Sequence, residues 1–387
     1  MYAIGKAEIE AVTQVIQSGQ LFRYRGGEGG YCDRFEAALK EKIGVRYAVA
    51  TSSGTAALIC GLVGIGIEPG DEVIVPAYTF MASALAVTAA GGIPVIAEID
   101  ETLLLDPRDT ARKVSRHTKA IMPVHMVGRV CDLAALAKIA ARHDLKIVED
   151  ACQAVGGSWR GRRLGSIGHV GAFSFNHFKN IACGEGGAFM TGDLNIYDRG
   201  LIYHDGGAVF RAYADQIKTP FFAGSNFRIS EIQGAILGVQ LKRLDGILAR
   251  LRARQAAMLA ELAKSTRFRV SPRNEIAGDC GSSVAVLFET ADEAKAFVQR
   301  VQENQWGGAY RPIDSGRHVY SNWEPIMTRH GAHCEKLNPF KWAKRKIEYA
   351  PDMCPRSLDI LGRTVLIGVP YGASVAAARS TARKMAR

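Results

Sequence analysis

Lys179 is the first residue whose chemistry stands out. It lies in the stretch 171–191, GAFSFNHFKNIACGEGGAFMT, between an apolar run at 170–175 and a second at 188–190. The connection between the runs carries Gly184-Glu185-Gly186-Gly187. Apolar runs bounded by turn residues read as strands. A lysine on a glycine-rich loop between strands suits a nucleophilic amine that forms Schiff bases, once desolvation or cationic neighbours lower its pKa. Glycines let the backbone pack close to a flat ligand. The bland reading of the same residues is a solvated lysine beside a simple turn.

Four further groups bear on that choice. Ser52-Ser53-Gly54-Thr55 follows a strand and opens a helix. A helix N-terminus offers free N–H groups to a phosphate, and Thr55 adds a hydroxyl; a plain N-cap by Ser53 satisfies the pattern as well. Pro76-Ala77-Tyr78-Thr79-Phe80 stands at another strand-to-helix junction. An aromatic there either stacks on a planar ring or packs in the core. In Val148-Glu149-Asp150-Ala151-Cys152-Gln153, Asp150 ends an apolar strand, where an unpaired carboxylate is costly. A protonated pyridine nitrogen would be one partner, and its charge keeps the ring an electron sink; a nearby arginine or a helix cap are the alternatives. Asn226, in Gly224-Ser225-Asn226-Phe227-Arg228, is a phosphate donor or a cap for the long helix that follows. Phosphate cradle, ring platform, ring-nitrogen carboxylate and Schiff-base lysine are the parts of a pyridoxal 5'-phosphate (PLP) site, and they stand at the ends of successive elements.

The elements that must position them alternate. Strands are expected at 47–51, 72–76, 93–99, 120–124 and 146–149, and helices at 54–64, 80–90 and 132–143. Repeated strand–helix units predict an α/β fold with a largely parallel sheet, whose ligands bind at the carboxyl ends of its strands. Ahead of these come helices at 8–17 and 32–43 with a glycine-rich, aromatic, basic loop at 22–31 between them. Behind them come a long helix at 230–264, a strand at 283–288, a helix at 291–303, an irregular segment at 321–345, a strand at 363–369 and a closing helix. The division expected is a large α/β domain over 1–240 and a smaller α+β domain over 241–387.

The 387 residues are 48% hydrophobic and 22% charged, ordinary for a globular enzyme. No 18-residue apolar run and no signal-type leader occur, so neither a membrane span nor secretion is expected, and the expected location is the cytoplasm. The eight cysteines show no metal-type spacing and are expected to be reduced thiols. The net charge of +11 is spread along the chain without a dense block, which argues against nucleic acid and for anionic small ligands.

The pieces SSGTAAL, DEVIVPAYTF, EDACQAVGG, FSFNHFK followed by GEGG, and GSNFRISEIQGA resemble the DegT/StrS family of sugar aminotransferases. The resemblance runs from about residue 7 to 251. It implies the type I, aspartate-aminotransferase-like PLP fold, with a seven-stranded-type sheet. It implies that Lys179 holds the cofactor and shuttles the proton, Asp150 partners the ring nitrogen, Phe80 stacks on the ring and Gln153 reaches its phenolic oxygen. Gly54, Thr55 and Ser174 match the phosphate contacts, and Asn226 matches one given by the neighbouring subunit, hence a homodimer with shared sites. The implied reaction moves an amino group from L-glutamate or L-glutamine to a keto sugar, giving an amino sugar for cell-surface polysaccharide, lipopolysaccharide or a secondary metabolite. A PLP-dependent sugar dehydratase and a keto-cyclitol aminotransferase are the alternatives. The dehydratase branch replaces the lysine by histidine; here Lys179 holds that position and His177 is out of register. A cofactor-binding regulator built on a PLP fold is the rival from another class; it would carry an added DNA-binding domain, which is not expected before Glu8. The Pro-Leu-His motif of many nucleotide-sugar members is missing. Arg317-His318-Val319-Tyr320-Ser321-Asn322-Trp323 stands there instead, similar to the branch that makes 8-amino-3,8-dideoxy-octulosonate. The substrate residues this suggests are Arg23, Tyr24, His204, Arg311 and His318, with the cations suited to a sugar carboxylate.

Overall fold

The computed structural model describes residues 4–24, 29–211 and 213–387. The sequence's alternation becomes one seven-stranded sheet. Its strands are β1 (Tyr47–Thr51), β2 (Glu72–Pro76), β3 (Ile93–Ala97), β4 (Thr118–Ile121), β5 (Lys146–Asp150), β8 (Val170–Ser174) and β9 (Gly187–Thr191), with a small hairpin of β6 (Ser158–Trp159) and β7 (Arg162–Arg163) set apart. The order is β1-β9-β8-β5-β4-β2-β3. Four neighbouring pairs are parallel, while β9 runs antiparallel to both β1 and β8. Every residue of β2, β3, β8 and β9 is buried, which is why these strands read as unbroken apolar runs. Because β9 reverses twice, β1, β2, β5 and β8 all end at the same edge. Thr51, Pro76, Asp150 and Ser174 therefore stand in one row, and the turn from β8 to β9 holds Lys179 over it.

A second sheet of β10 (Arg269–Val270), β11 (Ser283–Leu287), β12 (Ala309–Tyr310) and β13 (Thr364–Gly368) is wholly antiparallel, in the order β10-β11-β13-β12. The helix Glu231–Leu262, 32 residues long, leads to it. The boundary expected at 240/241 falls inside this unbroken helix. Its start is closed by a capping box between Ser230 and Gln233.

The helix 54–64 and the strands 47–51 and 72–76 form as read. The helix expected over 80–90 begins only at Ala82, because its first residues are pinned elsewhere. Thr79 N donates to His318 O (2.9 Å), Met81 N to Arg317 O (3.0 Å) and Tyr320 N to Ala77 O (3.0 Å). Helices at Pro107–Lys113, Leu194–His204 and Pro355–Arg363 were not anticipated, nor was the single turn Glu324–Met327 inside the segment read as irregular. The loop expected at 22–31 lies partly outside the described residues, at 25–28. No helix among the described residues is long and apolar enough to cross a membrane.

Candidate active site

Asp150, the last residue of β5, is only 4% exposed. Its Oδ2 accepts from the Ser83 hydroxyl (2.7 Å) and its Oδ1 from the backbone N–H of Cys152 (3.1 Å). Among the described residues no lysine, arginine or histidine comes within ion-pair distance of it. A buried carboxylate with two hydrogen bonds and no cation has room for one, and a protonated pyridine nitrogen would supply it.

The helix start expected to hold a phosphate is built by close approach. Ser53 caps the helix Gly54–Gly64 by accepting from Ala56 N (3.1 Å). A Cβ at Gly54 would lie 2.8 Å from both Cys152 Sγ and Ser174 Cβ, so only glycine lets this helix start sit on the ends of β5 and β8. Thr55 follows, half-buried, at the same helix start. Ser52 N donates to Phe227 O (2.7 Å), which lays the 226–228 segment along the end of β1. Asn226 is exposed there, its Oδ1 accepting from Arg228 N (3.2 Å).

Lys179 is half-buried in a turn closed by its own N–H to Asn176 O (3.1 Å). Its charge bears on both Cys152 and His318. Burial of the thiol and the Asp150 charge hold Cys152 well above its ordinary range, so this half-buried residue is poorly suited to act as a nucleophile. Burial and then Lys179 lower the His318 imidazole below its usual value, against the pull of the Ser315 carbonyl. The ring centroids of His318 and Phe80 lie 5.3 Å apart, and Phe80 is 42% exposed. Gln153 accepts from Val127 N (3.1 Å) with its side-chain oxygen, which turns its amide nitrogen outward as a donor.

The other substrate residues lie differently. Arg23 is 2% exposed and paired with Asp33 and Glu36, each at 2.8 Å. Tyr24 donates to Asp205 (2.9 Å). His204 is fully buried, between Ala50 O (3.1 Å) and the Asp205 carboxylate (2.8 Å). These three are held by partners within the chain. Arg311 makes a bidentate pair with Asp314 (2.8 and 3.0 Å). Of the five, His318 is the one whose ring packs beside Phe80. The residues that sequence reasoning passed over are Ser83 and Thr79, whose hydroxyls meet at 2.7 Å behind Asp150. Their i, i+4 spacing across a helix start was the available signal.

Residues 2–311 match the model of the DegT/DnrJ/EryC1/StrS aminotransferase family. The chain belongs to this family. Among its relatives, dTDP-3-amino-3,4,6-trideoxy-alpha-D-glucose transaminase of Streptomyces venezuelae is 40% identical over 261 residues, 67% of this chain and 66% of that one. L-Glutamine:2-deoxy-scyllo-inosose aminotransferase of Micromonospora echinospora is 38% identical over 263 residues, 65% of this chain and 62% of the relative. The matched stretches thus fall just short of two thirds of these relatives' lengths. The crystal structure of 3-amino-5-hydroxybenzoic acid synthase superposes over 99% of this chain and 96% of its own, with a TM-score of 0.81 and 28% identity. The DegT/DnrJ/EryC1/StrS chain described here is therefore a PLP-dependent aminotransferase of fold type I.

Proposed function

We propose that this aminotransferase moves an amino group from L-glutamate or L-glutamine to a keto sugar, in a cytoplasmic homodimer with shared sites. The amino sugar formed would serve a cell-surface polysaccharide such as lipopolysaccharide, or a secondary metabolite. One observation carries the reading. A buried carboxylate without a cation, Asp150, and an accessible amine, Lys179, share one strand edge with a cradle that a Cβ would fill at Gly54.

PLP, when bound, attaches through an amine and withdraws electrons from the carbon that bears the substrate nitrogen. Lys179 supplies that amine and then carries a proton at its Nζ as general base and acid. Asp150 holds a positive charge on the ring nitrogen, Phe80 orients the ring face, and Gln153 donates to the ring oxygen. Gly54, Thr55 and Ser174 seat the phosphate. Asn226, exposed at the end of its segment, is placed to serve a neighbouring copy's phosphate. The reading includes a cofactor domain over 1–240 and a smaller domain over 241–387, with His318 as a substrate-side residue of the latter. The keto sugar's carboxylate, if it has one, finds Arg23 and Arg311 already paired, which favours His318 as its partner.

The test is an absorption spectrum of the purified protein with PLP, then with L-glutamate or L-glutamine. A visible band that gives way to a near-ultraviolet band supports amino transfer. The charged protein is then offered keto sugars and keto-cyclitols, and product analysis separates transfer from dehydration. No band with added PLP would sink the proposal. A band unmoved by either donor would point to another donor or to dehydration.

A further inference from the structure

We infer that Ser83, backed by Thr79, is a positioning residue that fixes the Asp150 carboxylate for the cofactor. The inference rests on the PLP reading of the site and goes beyond it. Ser83 is 1% exposed, in the first turn of the helix Ala82–Ala89. Its hydroxyl has one proton, and that proton goes to Asp150 Oδ2 (2.7 Å). The 2.7 Å contact between Ser83 and Thr79 must then be a donation from the Thr79 hydroxyl. Thr79 is 1% exposed as well, so neither hydroxyl has water to turn to. The result is a two-hydroxyl relay pointing at the carboxylate, polarised in one direction.

The relay has a geometric purpose. A carboxylate at a strand end can rotate about its Cβ–Cγ bond, a soft torsion for aspartate. Cys152 N restrains one oxygen and Ser83 the other, on opposite sides of the group. The plane of the carboxylate is thereby set before any ring arrives. Phe80 lies between Thr79 and Ser83 in the chain, and Ser83 N donates to Phe80 O (3.0 Å). One turn of backbone therefore aims both the ring-facing aromatic and the ring-nitrogen carboxylate. The same turn is bonded to the His318 segment through Thr79 N and Met81 N.

The experiment is PLP titration of the apoprotein for wild type, Ser83→Ala, Ser83→Thr and Thr79→Val, and for Asp150→Asn with and without Ser83→Ala. Thermal melting of each apoprotein accompanies it. Loss of a hydrogen bond to a charged group should raise the PLP dissociation constant of Ser83→Ala about 10- to 100-fold. Ser83→Thr keeps the hydroxyl and should stay within about 3-fold, and Thr79→Val should fall between. In the Asp150→Asn background, Ser83→Ala should cost less than about 3-fold, because its effect passes through the carboxylate. Equal losses in both backgrounds would overturn the inference. So would an Ser83→Ala protein that binds PLP as wild type does, or one whose apoprotein melts lower with PLP affinity unchanged. Wild type failing to bind PLP would instead remove the cofactor reading itself, a distinct outcome.

Discussion

Asp150→Asn should move the empty and the loaded protein in opposite directions. In the empty protein the carboxylate is 4% exposed, has two hydrogen bonds and no cation. Two good donors offset only part of the desolvation of a full charge. The neutral amide keeps the volume, can still accept from Cys152 N, and sheds that penalty. A stabilisation of up to about 1 kcal/mol is the scale expected for a polar swap at such a site. With PLP bound, the same carboxylate pairs with the ring nitrogen, and deleting one member of a buried pair costs about 3–5 kcal/mol. That corresponds to a PLP dissociation constant raised by two to three orders of magnitude or more. The assay is differential scanning fluorimetry of the apoprotein and of the protein with saturating PLP, beside a PLP titration. The expected result is an apoprotein that melts at or above the wild-type temperature, and a much smaller rise on adding PLP. An Asp150→Asn apoprotein that melts well below wild type, with PLP raising both proteins equally, would refute the reasoning. Asp150 would then be a structural carboxylate.

Other outcomes follow from named contacts. Lys179→Ala should abolish the visible band of bound PLP and lower turnover by at least about 10²-fold, the scale of positioned acid–base catalysis, measured by spectrum and product formation. Gly54→Ala should weaken PLP binding and destabilise the protein by about 1–3 kcal/mol through overpacking, since its Cβ meets Cys152 Sγ and Ser174 Cβ at 2.8 Å. Adding Cys152→Ala should recover only part of that loss in a urea titration, because the Ser174 contact stays. Burial alone would raise the Glu36 carboxyl, but Arg211 and Arg23 outweigh it and hold it below the ordinary glutamate value. A depressed carboxyl contributes stability above its unfolded pKa and loses it as pH falls through the folded one. The stability gap between wild type and Glu36→Gln should thus be about 3–5 kcal/mol at pH 7 and shrink below about pH 4.5. A gap that stays constant with pH would refute the assignment.

The row of strand ends was legible because its residues end local patterns. Asp150 closes an apolar strand, Gly54 opens a helix after another, and Lys179 sits in the turn between two more. Strand ends of a parallel sheet converge without any knowledge of long-range contacts. The substrate side was read by residue type alone, which says nothing of the partners a side chain already has. Arg23 and His204 look like ligands for an anion until Glu36 and Asp205 are seen beside them. Glu36 and Ala50, which share a hydrogen bond, lie on different elements, and no local period announces that. Ser83 was hidden for a related reason. A small hydroxyl in an apolar helix reads as filler until the strand it faces is known.

The helix Glu231–Leu262 ties these parts into one mechanical piece. Near its start, the Gln233 amide donates to Glu185 O (2.7 Å) in the loop that carries Lys179. Near its end, Gln255 donates to Ser283 O (2.8 Å) on β11, and Arg383 reaches Glu261 (3.1 Å). At 1.5 Å per residue it is a strut of about 48 Å. A protein cut before β10 would strip the apolar side of the last turns of that strut and loosen the far end from which the lysine loop is braced. Calorimetry should accordingly record one heat-absorption peak for both sheets, and limited proteolysis should not release a large fragment that keeps the colour of bound PLP.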